Sequence, residues 1–284
     1  MEASRHIFHC GRARGEGVGI AVLGGGVRRL AEFGGRLDTS LSDFEGSDDH
    51  TTKVLEVAAA SGPLTGPASK ATIYSLVVRS PAESLKAASR IVERNAHLHA
   101  PIRVLYVPTG FPQARTVTTD GDPFGLVVEM ARAAGIVICA PAGNGGPLTS
   151  PGSLAGTITV GGCNVNVPKN PTDDAWAEGT SFDTSICKPN ILAPWGAFPL
   201  SESAWGPGAR IAGTSPASAL TAGHIATWFG ANPALTPDGV IEIISQSCNR
   251  PTGPNPMSSC GPPWYGSIDF GRALELAIAW SPAP

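Results

Sequence analysis

Charge is scarce in this chain: Asp, Glu, Lys and Arg make up only 15% of its 284 residues, and the net charge is −3. Neither a basic stripe nor a nucleic-acid-binding motif is present, which sets DNA and RNA aside as partners. No apolar run approaches the roughly 18 residues that a bilayer span needs, so no membrane partner is expected. Met1 to Gly17 lacks the apolar stretch of a secretory signal, and no prodomain is visible, so the expectation is a cytoplasmic protein. The cysteines (Cys10, Cys139, Cys163, Cys187, Cys248 and Cys260) form no CxxC pair, which argues against zinc, and no cofactor is expected. Asp38, Asp43, Asp48 and Asp49 cluster in sequence but read as a solvated loop rather than a calcium site. Internal repeats and linkers are also missing, so residues 1–284 are read as one domain.

Glycine and proline, by contrast, are plentiful at 35 and 26 residues, the composition of a compact body with many tight turns. Apolar runs at Val18–Leu23, Ala71–Val78, Ile102–Val107, Gly135–Ala140 and Thr157–Gly161 lack period-2 alternation. Strands buried on both faces of a parallel sheet read this way. Helical spacing lies between and after them, at Lys53–Ala60, Glu83–His97, Phe124–Ala134, Ala217–Phe229, Pro237–Ser247 and Arg272–Trp280. The predicted fold is α/β: a doubly wound, mostly parallel sheet with helices on both faces. Sites on such sheets form at the carboxyl ends of the strands, where Gly24, Gly110 and Asn144 fall.

The segment Gly213-Thr214-Ser215-Pro216-Ala217-Ser218 puts a serine at the mouth of a helix, with small residues through the first turns. Unpaired N–H groups and the positive end of the helix dipole would face a carbonyl brought to that hydroxyl. On these residues alone, a Thr or Ser N-cap on an Ala-rich core helix is the other reading. Asn144 stands among Gly143, Gly145 and Gly146, where it is either a turn cap or a side-chain donor. His50 opens a helix. An alcohol, an imidazole and an amide donor are the groups that serine acyl transfer requires.

In this order along the chain, these segments resemble the subtilisin-like serine peptidases. Gly213-Thr214-Ser215-Pro216-Ala217 is similar to that family's Gly-Thr-Ser-Met-Ala, and Ala140-Pro141-Ala142-Gly143-Asn144 to its Ala-Ala-Gly-Asn. Asp49-His50-Thr51-Thr52-Lys53-Val54 resembles Gly-His-Gly-Thr-His-Val, and Val18 to Val27 resembles the first strand with its Asp-Thr-Gly. The resemblance implies Ser215 as nucleophile, His50 as general base and Asn144 as oxyanion donor. It also implies a departure, because Gly24 occupies the position of the family's catalytic Asp. Asp48 is the candidate substitute acid. Asp49, also considered, has poor geometry for this and is expected to cap the following helix. Pro108, Thr109, Gly110 and Phe111 stand where the family's Ser-Leu-Gly-Gly pairs with substrate backbone. Pro108 has no N–H to donate there, and Phe111 adds a ring.

Several local readings stay open at this level. Lys53 and Glu56 are spaced to form an ion pair. Cys248 and Cys260 flank a Pro-rich loop and are either bridged or free. Trp176, Trp195, Trp205 and Trp264 either wall a peptide groove or simply pack. Two functions follow. One is a specialised serine peptidase or acyl-transfer enzyme acting on a defined peptide, for instance a natural-product precursor, with slow deacylation favouring an amine acceptor. The other is a pseudoprotease that binds a peptide or protein without cutting it.

Overall fold

The computed structural model describes residues 13–110, 122–165 and 174–282. Six core strands of the sheet run parallel: β1 (Gly19–Gly24), β3 (Thr72–Val77), β4 (Ile102–Tyr106), β5 (Val137–Pro141), β6 (Thr157–Asn164) and β8 (Ile191–Pro194). Short strands extend the edges: β2 (Leu37–Asp38) beyond β3, and β12 (Gly266–Ile268) with antiparallel β11 (Cys248–Asn249) beyond β8. The order is β11-β12-β8-β6-β5-β4-β1-β3-β2, with β7 (Ala175–Trp176) pairing onto β6. A small separate ribbon joins β9 (Phe198–Pro199) to β10 (Arg210–Ile211).

Alternate side chains of β1 enter two cores. Ile20 and Val22 face one, with α1 (Asp49–Ala59), α4 (Thr214–Ala231), α5 (Pro237–Ser247) and α6 (Phe270–Ala279). Ala21 and Leu23 face the other, with α2 (Pro81–Arg94) and α3 (Pro123–Ala133). Burial on both sides is why these strands read as continuous apolar runs. Three helices open on a capping residue followed by proline: Ser80-Pro81, Asp122-Pro123 and Thr236-Pro237. The cap oxygen takes an orphan N–H, and proline at the first helical position gives up a donor that had no partner. α4 is buried from Thr214 to Phe229, so it is a central helix and shows no polar face. None of the described helices is long and apolar enough to cross a membrane.

Two sequence expectations are corrected, and two readings left open are decided. α1 begins at Asp49, and its cap is Asp48, whose Oδ1 accepts from Thr51 N at 2.8 Å; Asp49 lies inside the first turn and pairs outward with Arg28 at 3.4 Å. Lys53 does not pair with Glu56. It lies over the Trp205 ring, 4.5 Å from the centroid, while the Glu56 carboxylate accepts from Ser201 N at 3.2 Å and from the Trp205 indole. Cys248 and Cys260 are both free thiols. β11 turns Cys248 toward the main core, whereas Cys260 joins a separate cluster with Trp176, Met257 and Trp264. Trp176 and Trp264 are buried edge-on against each other, so these two rings pack rather than line a groove.

Candidate active site

The carboxyl ends of β1, β4 and β5 and the first turns of α1 and α4 bring the predicted residues to one rim of the sheet. Ser215 is the second residue of α4 and is 8% exposed. The helix starts there because Gly213 adopts φ 118°, a conformation that disfavours any side chain. Ser215 Oγ donates to Pro108 O at 3.4 Å. The Ser215 carbonyl accepts from Tyr106 Oη and from Ser218 Oγ, each at 2.9 Å, tying the first turn of α4 to β4. Complete burial pushes the Tyr106 phenol well above its ordinary pKa, so it remains a neutral donor. Tyr106 was absent from the sequence reading; its one signal is a hydroxylated ring closing a strand of mostly aliphatic residues.

Asn144 is held by its oxygen. Thr214 N and Thr214 Oγ1 both donate to Asn144 Oδ1 at 3.0 Å, and Thr214 Oγ1 accepts from Gly143 N at 3.1 Å. A backbone N–H can only face the amide oxygen, so the orientation of the amide is fixed and both Nδ2 hydrogens remain to donate elsewhere. From the other side, the turn is backed by an isolated bridge between Asn144 and Thr180 and by Ser181 N donating to Gly143 O at 3.0 Å. The Ser215 N–H belongs to a helical turn whose amides have no intrahelical acceptor. Asn144 is thereby fixed beside the start of α4, next to Gly213 and Thr214, with its amide hydrogens left to donate.

His50 is exposed on the first turn of α1 and makes no hydrogen bond or ion pair among the described residues. Neither proposed substitute acid reaches it. Asp48 is committed to capping, and its Oδ2 lies over Gly25, in the space a Cβ there would occupy. Asp49 points into solvent at 66% side-chain exposure. At Gly24 itself, a Cβ would meet Thr51 Oγ1 at 2.8 Å and Pro108 Cγ at 3.1 Å. Thr51 is fully buried, and its hydroxyl has no hydrogen-bond partner. The space beside Gly24 is therefore filled by a threonine side chain from the residue after His50.

Of the groove residues, Pro108 lies against Ser215 and Thr109 is exposed. Gly110 sits so close to Thr149 that a Cβ would overlap its side chain. Phe111 lies outside the described residues.

Comparison with known proteins agrees with this architecture. Serine protease AprX of Bacillus subtilis (strain 168) is 27% identical over 274 residues, covering 83% of this chain; the chain spans 62% of that relative's length. Among solved structures, that of subtilase cytotoxin SubAB assembly superposes with a TM-score of 0.76 at 15% identity, over 98% of this chain and 94% of the other. The prenylagaramide maturation protease PagA superposes with a TM-score of 0.71 at 19% identity, over 92% and 94%. The model of the Subtilase family, Peptidase S8, matches residues 34–261, most of the chain, and this protein belongs to that family of subtilisin-like serine proteases.

Proposed function

We propose that this protein is a serine peptidase or acyl-transfer enzyme specialised for a defined peptide, working without the family's acid. Ser215 Oγ attacks the scissile carbonyl carbon while His50 takes its proton, giving a tetrahedral oxyanion between Asn144 Nδ2 and the Ser215 N–H. Collapse expels the amine, which carries away the proton from His50, and leaves an ester on Ser215. Water or a second amine then releases the acyl group by the same route in reverse.

The observation that carries this reading is the clamp on Asn144 Oδ1 by Thr214. It preorganises the donor at the start of α4, and a protein that merely bound peptide would have no need of it. His50 is unbonded, yet a catalytic hydrogen bond often tightens only once substrate arrives. A narrow peptide substrate is favoured by Pro108 at the groove edge, where a backbone donor is missing. The structural neighbour PagA is a prenylagaramide maturation protease, which fits processing of a natural-product precursor.

The alternative, a pseudoprotease that holds a peptide, draws on Gly24 and on the donation of Ser215 Oγ to Pro108 O instead of an imidazole. Incubation with a peptide library, read by mass spectrometry, separates the two. Cleaved or joined products that disappear in Ser215→Ala support the enzyme. Retention of peptides without any covalent change, equally in the wild type and Ser215→Ala, supports the binder.

A further inference from the structure

Cys187 and Cys260, widely separated along the chain, converge on a single backbone oxygen. Cys187 Sγ donates to Thr184 O at 3.6 Å, and Cys260 Sγ donates to the same carbonyl at 3.7 Å. Both residues pack against the cluster of Cys163, Trp176, Leu192, Met257 and Trp264. Each is fixed locally. Asp183 and Lys188 exchange two backbone hydrogen bonds at 2.9 and 3.0 Å, closing a hairpin whose last loop residue is Cys187 at φ 51°. That left-handed conformation is uncommon away from glycine. Lys188, the next residue, is held inward: its Nζ is buried against Thr157 O, Thr159 Oγ1 and Asn190 Oδ1 at 2.6–2.9 Å. On the facing loop, Cys260 N donates to Met257 O at 3.0 Å, holding Cys260 in a tight turn over the buried Met257. Partial burial, and then the adjoining Cys187 sulfur, push the Cys260 thiol up to about 11.

We propose that Cys187 and Cys260 are a thiol-modification site that closes reversibly to a disulfide, clasping the 183–188 hairpin to the 257–260 turn. The co-reactant is a small disulfide of the glutathione class. The thiolate of one cysteine attacks it, forming a mixed disulfide and releasing one small thiol. The thiolate of the other then attacks the protein sulfur, forming the Cys187–Cys260 bond and releasing a second small thiol. Two electrons pass from the protein to the reagent, and both thiol protons leave. The clasp bears on the candidate active site through Phe182 and Ser181, because the segment leading into the hairpin, Thr180 and Ser181, is the one that backs Asn144 and Gly143. Fixing the hairpin at its far end limits how far that backing can move. The modification itself does not depend on any assignment of catalytic activity.

The test is oxidation of the folded, full-length protein with oxidised glutathione, followed by non-reducing peptide mapping. The expected product is a cross-linked peptide pair joining Cys187 to Cys260, absent in Cys187→Ser and in Cys260→Ser and retained in Cys248→Ser. The oxidised wild type should also unfold on the order of 5–10 °C above the reduced form, since closing a long loop restricts the unfolded chain, and the two serine variants should lose that difference. A bridge from Cys260 to Cys248, or glutathione remaining singly attached at Cys187 or Cys260, would overturn the proposal.

Discussion

At the scale of single residues, the proposed function turns on Gly24, which stands where the resemblance puts an acid, and the packing there limits what a substitution can restore. The family pattern places a large acid here and a glycine after the histidine; this chain has glycine first and Thr51 second. The two positions touch, so they share one space. Consequently Gly24→Asp alone should fail to restore an acid. Its Cβ would begin 2.8 Å from Thr51 Oγ1, an overpacking that costs about 1–3 kcal/mol. Gly24→Asp combined with Thr51→Gly should fold normally and raise the peptide-cleavage rate at least ~10-fold, toward the ~10⁴ that such an orienter supplies elsewhere. A double-mutant cycle on rate and urea midpoint reads both effects, and strictly additive variants would refute the shared space. Asn144→Ala should lower turnover by about 10²–10³ through loss of the transition-state donor, and should also cost about 1–3 kcal/mol of stability because buried Thr214 loses its acceptor. The serine and the amide were legible in the sequence because short motifs surround them. Thr51 was not, since a buried threonine in a first helical turn carries no signal until its neighbour across the sheet is known.

At the scale of elements, five of the six core strands were legible because burial on both faces leaves uninterrupted apolar runs, and their ends shifted by at most three residues; β8 (Ile191–Pro194), only four residues long, was not read as a strand. Helix starts were less so. The difference between Asp48 and Asp49 as the cap is a one-residue boundary, decided by which backbone leaves helical geometry: Asp48 does, at φ −126° and ψ 154°. Asp48→Ala should therefore cost about 1 kcal/mol and lower the melting temperature by roughly 2–4 °C, whereas Asp49→Ala, losing an exposed ion pair, should change it little. Calorimetry on the two variants distinguishes them; equal losses would contradict the assignment. Loop-to-loop relations were not legible. The sequence left Cys248 and Cys260 either bridged or free; they are free, because strand pairing of β11 draws Cys248 into the main core. Glu56 likewise bonds across to Ser201 and Trp205 instead of to its helical neighbour Lys53, and burial holds its carboxyl above the usual range. That buried contact secures the segment leading toward α4 against α1.

At the scale of the molecule, one sheet presents its carboxyl rim to the reacting groups and is locked from the other end by Lys188. Its ammonium bridges the start of β6 to the approach of β8, and burial pushes its pKa from 10.5 down to about 7. A lysine whose folded pKa is depressed binds fewer protons folded than unfolded between those two values, so its contribution to stability rises with pH across about 7 to 10.5. The urea midpoint of the wild type should thus climb relative to Lys188→Met as pH is raised through that window, and a flat difference would contradict it. The central claim is that Ser215, His50 and Asn144 act together without an acid. Labelling with a fluorophosphonate, followed by intact-mass and peptide mapping, tests it most directly. A single adduct on Ser215, abolished in Ser215→Ala and slowed at least ~10-fold in both His50→Ala and Asn144→Ala, is the predicted result. Absence of an adduct on the folded wild-type protein, or labelling of Ser215 indifferent to His50, would contradict the account.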